Sequence, residues 1–261
     1  MIRRDCTFDD ASAWAIIPQL AHARLAGRLA EMLDVGRFPL LATPQLRPVL
    51  LDAVRRHDDG WAPWDPYLQV DPQSGAPRQF TEMLPGELRP IWLRSIVGVG
   101  TTNPLGGHIV ARHFAALLGH HLASLPEASN ERKRGELFAG RLDRLAAAYL
   151  AEWQETSPRL AGEAELPDHC LRFLQAMDYL SLWLCCHERP EPLDLEIDGT
   201  ATRFTSPEPG HVVADPWPAR QSSWACEARG QVMPAGQYRC NGELAAARSR
   251  PVTLSWRFTP Q

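Results

Sequence analysis

An adjacent histidine and aspartate, His57-Asp58, offer the clearest chemistry in this chain. The pair supplies an imidazole nitrogen and a carboxylate oxygen from one backbone segment, and these donors together suit a divalent metal such as Fe²⁺, Mn²⁺ or Zn²⁺. A second interpretation needs no metal, because a histidine at the end of a helix interacts favourably with the helix dipole. The positions of the other inward-facing polar residues are needed to decide between the two.

Three further ligand-type side chains fall on apolar helix faces. His22 lies three residues before Leu25, so it shares the buried stripe of its helix, and His113 lies on a similar stripe. Asp178 precedes Leu182 by four residues and interrupts an otherwise apolar face. A buried carboxylate without a partner is costly, so Asp178 should be protonated, paired or bound to a metal. Without a metal, His22 would be an ordinary core histidine.

Polar neighbours of these residues are weaker candidates. We expect Asp58 and Asp59 to act in catalysis, with Asp59 orienting a water molecule. His120 lies seven residues after His113 on the same helix face, and Arg112 lies beside it in sequence. We place Arg112 and His120 in the substrate pocket, although Arg112 could instead pair with Asp178.

A long irregular segment follows the His-Asp pair and runs from residue 61 to about residue 90. It is rich in Pro, Gly and aromatic residues, and long connections of this kind usually form lids or pocket walls. We therefore expect Trp61, Trp64 and Tyr67 to line a substrate pocket beside His57 and Asp58. The alternative is a loop that its aromatic residues hold against the core.

Helical periodicity predicts the elements that would position these residues. The last helix is capped by Asp168, and two others begin with a capping residue followed by proline. The first predicted helix starts near Ser12, restarts around Pro18 and ends near Leu33. The other predicted helices run from Pro44 to His57, from Pro104 onward, from Glu131 to Trp153 and from Cys170 to His187.

The periodicity changes near Glu188, where helical stripes stop and alternating patterns begin. Leu193-x-Leu195-x-Ile197 followed by Asp198-Gly199 is typical of a strand and a turn. We predict a mainly α fold, namely a helical bundle with a small C-terminal antiparallel β unit. The domains would be residues 1–190 and residues 191–261, with the β unit packed on the helices.

Composition and charge exclude some classes of partner. The chain has 261 residues, of which 44% are hydrophobic and 22% charged, with a net charge of -4. This charge gives no electrostatic reason to expect nucleic acid or an anionic membrane as a partner. No signal-peptide pattern and no apolar run of membrane-spanning length are evident. We expect a cytoplasmic protein with reduced cysteines, since the six cysteines show no CxxC spacing.

The order of the inward-facing residues, H…HD…H…D, resembles the HD-domain superfamily of metal-dependent phosphohydrolases. In that resemblance His22, His57, Asp58 and Asp178 match the core metal ligands, and His113 matches an additional histidine of two-metal members. The local motifs, above all His57-Asp58-Asp59-Gly60-Trp61, are similar to those of a bacterial family catalogued as a domain of unknown function. That family brings no established activity with it.

The resemblance implies that the helical part is an HD-domain-like helical bundle. It also implies a divalent-metal-dependent hydrolase that acts on a phosphoester or a nucleotide-like small molecule. Fe, Mn, Zn or Mg are the candidate metals, and the substrate is a small, phosphorylated molecule. Two alternatives stay open at this point: an HD-type di-iron oxygenase, and a ligand-binding module without turnover on the same fold. Whether the protein is an enzyme, and its oligomeric state, are not determined by the sequence.

Overall fold

The chain begins with a β-hairpin. In the computed structural model, which describes residues 1–247 and 249–261, β1 (Ile2–Phe8) pairs antiparallel with β2 (Ala11–Ile17). Asp9 and Asp10 form the turn with φ values of 50° and 60°, as a two-residue hairpin requires. The predicted helix start near Ser12 is therefore wrong. The sequence around Ser12 forms a strand because the Asp9-Asp10 turn folds it back onto β1, where Thr7 is paired with Ser12.

Nine helices follow in the part of the chain that the structure describes. The metal-ligand candidates lie on or directly after four of them, α1, α3, α5 and α8. The helices are α1 (Gln19–Met32), α2 (Pro39–Ala42), α3 (Leu46–Arg56), α4 (Pro85–Gly100), α5 (Pro104–Ala123), α6 (Asn130–Thr156), α7 (Pro158–Ala161), α8 (Leu166–Cys186) and α9 (Asn241–Ala246).

Five further strands complete one mixed sheet with the hairpin. They are β3 (Leu193–Ile197), β4 (Thr200–Glu208), β5 (His211–Asp215), β6 (Trp224–Pro234) and β7 (Arg250–Pro260). The strand order is β1-β2-β6-β7-β5-β4-β3, and all neighbours are antiparallel except β5 and β7. The sheet curls into a half-barrel.

The predicted fold class, an HD-domain-like helical bundle with a small C-terminal antiparallel β unit, is wrong, and so is an all-alpha description. The sheet has seven strands, contains a parallel pair and takes strands from both ends of the chain. β2 joins the C-terminal strands through β6, where Ala13 is paired with Pro234 and Ile16 with Gln231. Pairing between such distant segments leaves no local signal in the sequence.

Helix starts show which local signals were informative. Asn103 caps α5 as predicted, since its Oδ1 atom accepts the backbone N–H of Gly106 at 2.8 Å. Its side-chain amide also donates to the carbonyl oxygen of Val49 in α3, which fixes α5 against that helix. No helix was predicted over α4, which contains Pro90 and whose first residues, 85–90, lie in the segment interpreted as irregular.

One large apolar cluster joins the helices to the concave side of the sheet. α1 packs on α3, α8 and β6, while α8 also contacts β1 and β3. α1 and α8 therefore lie between the sheet and the remaining helices, with α5 and α6 packed outside them. No helix in the described residues is long and apolar enough to cross a membrane.

Candidate metal centre

Three helices bring ligand-type side chains to one buried point. His22 comes from α1, His57 and Asp58 from the end of α3, and Asp178 from α8. His22 and His57 are each 1% exposed, whereas Asp58 is 6% exposed. Asp178 keeps 13% of its side chain accessible and provides the least buried edge of the cluster.

The ligand atoms form a closed ring with almost equal edges. The Nε2 atom of His22 lies 3.4 Å from Asp58 Oδ2 and 3.2 Å from Asp178 Oδ1. His57 Nε2 lies 3.6 Å and 3.3 Å from the same two oxygens. Ligands bonded to one ion at about 2.1 Å are separated by about 3.4 Å in a tetrahedral site and about 3.0 Å in an octahedral one. These four distances are compatible with one small cation, and the ligand atoms of His22, His57 and Asp58 also lie within 4.8 Å of one another.

Two hydrogen bonds orient the histidines toward this ring. The Ser181 hydroxyl donates to the carbonyl oxygen of Asp178 at 2.8 Å, so it accepts the Nδ1–H of His22 at 2.7 Å. The Nδ1–H of His57 donates to the carbonyl oxygen of Val54 at 2.8 Å. Both Nε2 atoms consequently point at the carboxylates. With the proton on Nδ1 and Nε2 free to bind, both rings have the tautomer that metal-binding histidines adopt. His57 Nε2 is buried and has no hydrogen-bond partner.

Electrostatics at the cluster favour a positive charge between the carboxylates. Burial would lower the pKa of His57, but the charge of Asp58 and the contact with Asp178 outweigh it and raise the pKa to about 9. Burial also opposes ionisation of Asp178, yet its contacts with His22 and His57 hold its pKa well below the usual range. The pKa of His22 is raised and that of Asp58 lowered, in each case against burial. Both histidines therefore bind protons more tightly, and both carboxylates less tightly, than the same groups do in water.

His113 lies at one side of the ring. Its Nε2 atom is 3.6 Å from Asp178 Oδ2, the oxygen that does not face His22 and His57. Burial lowers the pKa of His113, so its imidazole is neutral, and its Nδ1 atom has no hydrogen-bond partner. His113 can therefore add a fifth donor beside Asp178, although nothing orients its ring as Ser181 orients His22.

The residues after His57-Asp58 have mainly structural contacts. The Asp59 carboxylate is partly exposed and accepts a hydrogen bond from Arg56 Nε at 2.9 Å, so it is directed to Arg56 and away from the ring. Gly60 allows α4 to approach, because a Cβ atom there would lie 1.9 Å from the carbonyl oxygen of Ile91. Its backbone N–H also donates to the Ser95 hydroxyl at 2.9 Å.

The aromatic residues of the following loop border a small cavity. Trp61 is buried, Trp64 is half-buried, and Tyr67 is 72% exposed. The cavity has a volume of about 20 Å³, which suits a water molecule, and neither His57 nor Asp58 lines it. Trp61 and Trp64 pack against the core, whereas Tyr67 does not. A substrate pocket formed by this loop stays a prediction.

This loop instead holds the start of α1. The buried Asp65 carboxylate accepts the backbone N–H of Gln19 at 3.1 Å and that of Leu20 at 3.0 Å. A carboxylate at this position stabilises a helix N-terminus and fixes its direction. Asp65 therefore positions the helix that carries His22, less than one turn before that ligand.

Arg112 and His120 lie away from the ring. Both are exposed on α5, and the Arg112 guanidinium is 3.8 Å from Asp143 of α6. His113 faces inward, whereas Arg112, one position earlier, points about 100° away around the helix. His120 shares the direction of His113 but lies about two turns further along α5, where the helix face is exposed. Asp178 thus contacts His22, His57 and His113. Arg112, its alternative partner, pairs with Asp143 instead.

Sequence reasoning missed Ser181 and Asp65 as positioning residues. Ser181 had a usable signal, since it follows Asp178 by three residues and so shares its helix face. Asp65 had none, because its partners at the start of α1 lie 45 and 46 residues away.

Comparisons with known proteins identify a family without an assigned activity. Residues 1–235 match the model of the family described as "Protein of unknown function (DUF3891)", and the chain belongs to that family. No curated protein and no solved structure matches the chain. The chemistry of the site must therefore be argued from its own residues.

Proposed function

We propose that this DUF3891 protein is a divalent-metal-dependent hydrolase that acts on a phosphoester of a small, nucleotide-like molecule. The observation that carries the proposal is the ring of His22, His57, Asp58 and Asp178, whose ligand atoms lie 3.2 to 3.6 Å apart along its edges. Two carboxylates and two correctly oriented imidazoles form a donor set for Fe²⁺, Mn²⁺ or Zn²⁺.

The ring suits one ion better than two. His57 Nδ1 is committed to Val54, so only Nε2 of His57 is available, and one nitrogen cannot serve two ions. A second group, His57, His113 and Asp178, also has ligand atoms within 4.8 Å of one another, but it shares the single free nitrogen of His57 with the group His22, His57 and Asp58. The shared histidine favours a mononuclear hydrolase over the di-iron oxygenase.

A bound divalent ion would lower the pKa of a coordinated water and neutralise charge on phosphoryl oxygens. The chain's own residues supply the remaining parts of the reaction. His22 and His57 are held in the ligand tautomer by Ser181 and Val54. The accessible edge of Asp178, with neutral His113 beside it, is where a phosphoryl group would enter. Asp59 as a water-orienting residue is a weaker part of the proposal, because Arg56 binds its carboxylate.

The resemblance to HD-domain phosphohydrolases supports the proposal at the level of the site. The H…HD…H…D order matches the donor set on α1, α3, α5 and α8. The seven-stranded sheet is not part of that resemblance, so the fold contributes no functional argument.

Metal analysis of full-length protein, purified without chelators and without added metal, tests the proposal. We expect about one equivalent of a transition metal in the wild type, and almost none in His57→Ala and Asp178→Ala. His120→Ala is the matched control, because this histidine lies on α5 but is exposed. All variants should keep their helical circular dichroism.

Turnover is tested on the same preparations with a panel of phosphomonoesters and nucleotides. Metal-dependent release of phosphate that disappears with a chelator, and in His57→Ala, would support the hydrolase. Retained metal without turnover on any phosphoester would favour the ligand-binding alternative. A wild type that binds none of these metals more tightly than about 1 mM would refute the metal centre itself.

A further inference from the structure

A pocket lined by arginines lies on the outer side of α1 and α3. It has a volume of about 410 Å³, and its walls include Arg24 and Arg28 of α1, Arg55 of α3 and Arg229 of β6. Pockets of a few hundred Å³ accommodate ligands of nucleotide size. None of the five residues of the candidate metal centre lines it, so it is a separate site.

Three of these guanidinium groups have no carboxylate partner. Within residues 1–247 and 249–261, Arg24 and Arg229 make neither an ion pair nor a side-chain hydrogen bond. Arg28 donates to the carbonyl oxygen of Glu227, while its Nε atom is buried and has no partner. Arg24 and Arg28 are also four residues apart on one helix, where like charges repel. The pocket thus concentrates positive charge that the described residues do not neutralise.

Two glutamates share the pocket without cancelling this charge. Glu31 and Glu227 line the wall, but neither forms an ion pair with the arginines. Asp52 lies 3.5 Å from Arg55, so four guanidinium groups face three carboxylates and leave a small local excess of positive charge in a chain whose net charge is -4. A local excess on an acidic protein suits a small anion better than a nucleic acid, which needs an extended basic surface.

Close packing of α1 and α3 brings the arginines together. A Cβ atom on Gly27 would lie 2.8 Å from the Cβ atom of Arg55, so glycine at this position allows the helices to approach. Arg55 thereby lies beside Arg28 on the adjoining helix. β6 closes the third side with Arg229.

We propose that this arginine-lined pocket binds a small molecule that carries two or more adjacent phosphate groups. Planar guanidinium groups bind phosphate oxygens through paired charge-assisted hydrogen bonds. The guanidinium groups come from α1, α3 and β6. Several positive charges match the several negative charges of a pyrophosphate better than they match the single negative charge of a carboxylate. The site does not depend on the proposed metal chemistry, and α1 and α3 carry it on the face opposite His22 and His57.

Calorimetric titration of full-length protein, stripped of metal with a chelator, tests the proposal with inorganic pyrophosphate and ADP as separate probes. We expect saturable binding of pyrophosphate, and at least about tenfold weaker binding in the double variant Arg24→Ala/Arg229→Ala. Equal affinity for both probes would show recognition of the phosphates alone, whereas tighter binding of ADP would add a nucleoside contact. Higher salt should weaken both, since the groups are partly exposed.

Two controls separate this site from net charge and from the metal centre. Arg94→Ala/Arg141→Ala removes the same charge from exposed positions on α4 and α6 and should change the affinity less than about twofold. His57→Ala should leave pyrophosphate binding unchanged in the metal-free protein. Wild-type binding weaker than about 1 mM, or equal losses in the two arginine double variants, would overturn the proposal. A loss confined to His57→Ala would also overturn it by assigning the phosphate to the metal centre.

Discussion

Replacing Ser181 by alanine tests whether the orientation of His22 determines metal binding. Ser181 is fully buried, accepts the Nδ1–H of His22 and donates to Asp178 O. Without the hydroxyl, the imidazole loses the contact that fixes its ring and its tautomer. Groups in this position typically change metal affinity by about 10- to 100-fold, which corresponds to about 1.4 to 2.8 kcal/mol.

The substitution also leaves a buried Nδ1–H unpaired in the metal-free protein. The cost of such a donor is about 1 to 3 kcal/mol in the free energy of unfolding. Stability should therefore be measured by urea denaturation with a chelator present, and metal affinity by competition with a chromophoric chelator. The two measurements separate a weaker site from a weaker fold.

Ser95→Ala is the matched control for Ser181→Ala. Ser95 is equally buried, but its hydroxyl accepts the backbone N–H of Gly60 and contacts no histidine. We expect a similar loss of stability with metal affinity close to that of the wild type. An affinity of Ser181→Ala within about twofold of the wild type, or the same loss of affinity in Ser95→Ala, would refute the reasoning.

Three further predictions concern the fold and the charge of the site. Gly60→Ala should destabilise the protein by more than about 3 kcal/mol in denaturation experiments, because the new Cβ atom overlaps the Ile91 carbonyl. Gly98→Ala, where nothing lies within 4 Å of the new Cβ atom, should be neutral or stabilising. Similar effects of the two substitutions would contradict the packing argument. Asp65→Ala should cost about 1 to 2 kcal/mol by uncapping α1, and unchanged stability would count against this role. Since the pKa of His57 is raised to about 9, its protonation stabilises the metal-free fold fully below about pH 6.5, and that contribution is lost as the pH rises through 9. Metal must displace this proton, so affinity measured at several pH values should rise up to about pH 9, and a flat profile would disagree.

Local patterns were informative wherever a helix buries one face. Continuing the apolar stripe of α3 by three and four residues directed His57 and Asp58 inward, and both are buried. The start of α5 at Asn103-Pro104 and the extent of α6 followed from caps and periodicity. These features depend on residues within a few turns of one another, so the sequence contains their signal.

The sequence was least informative where distant segments pair. The pairing of β2 with β6 was not predicted, because the two strands lie more than 200 residues apart in the chain. The helix α4 was not predicted, since its first residues lie in the segment interpreted as irregular, yet Glu87 caps its start by accepting the backbone N–H of Leu84. Tyr67 was expected in the wall of a substrate pocket; it borders a cavity of about 20 Å³ and is 72% exposed.

By itself, the sequence determined the inward direction of the candidate ligands, because side-chain direction on a helix follows from its period of 3.6 residues. Only the tertiary structure decided that His22, His57, Asp58 and Asp178 meet in one ring, and that Arg112 and His120 do not join it. Which helix faces meet depends on how four helices pack on a curved sheet. That packing is set by long-range contacts, such as Gly60 against α4 and β2 against β6, which no local period encodes.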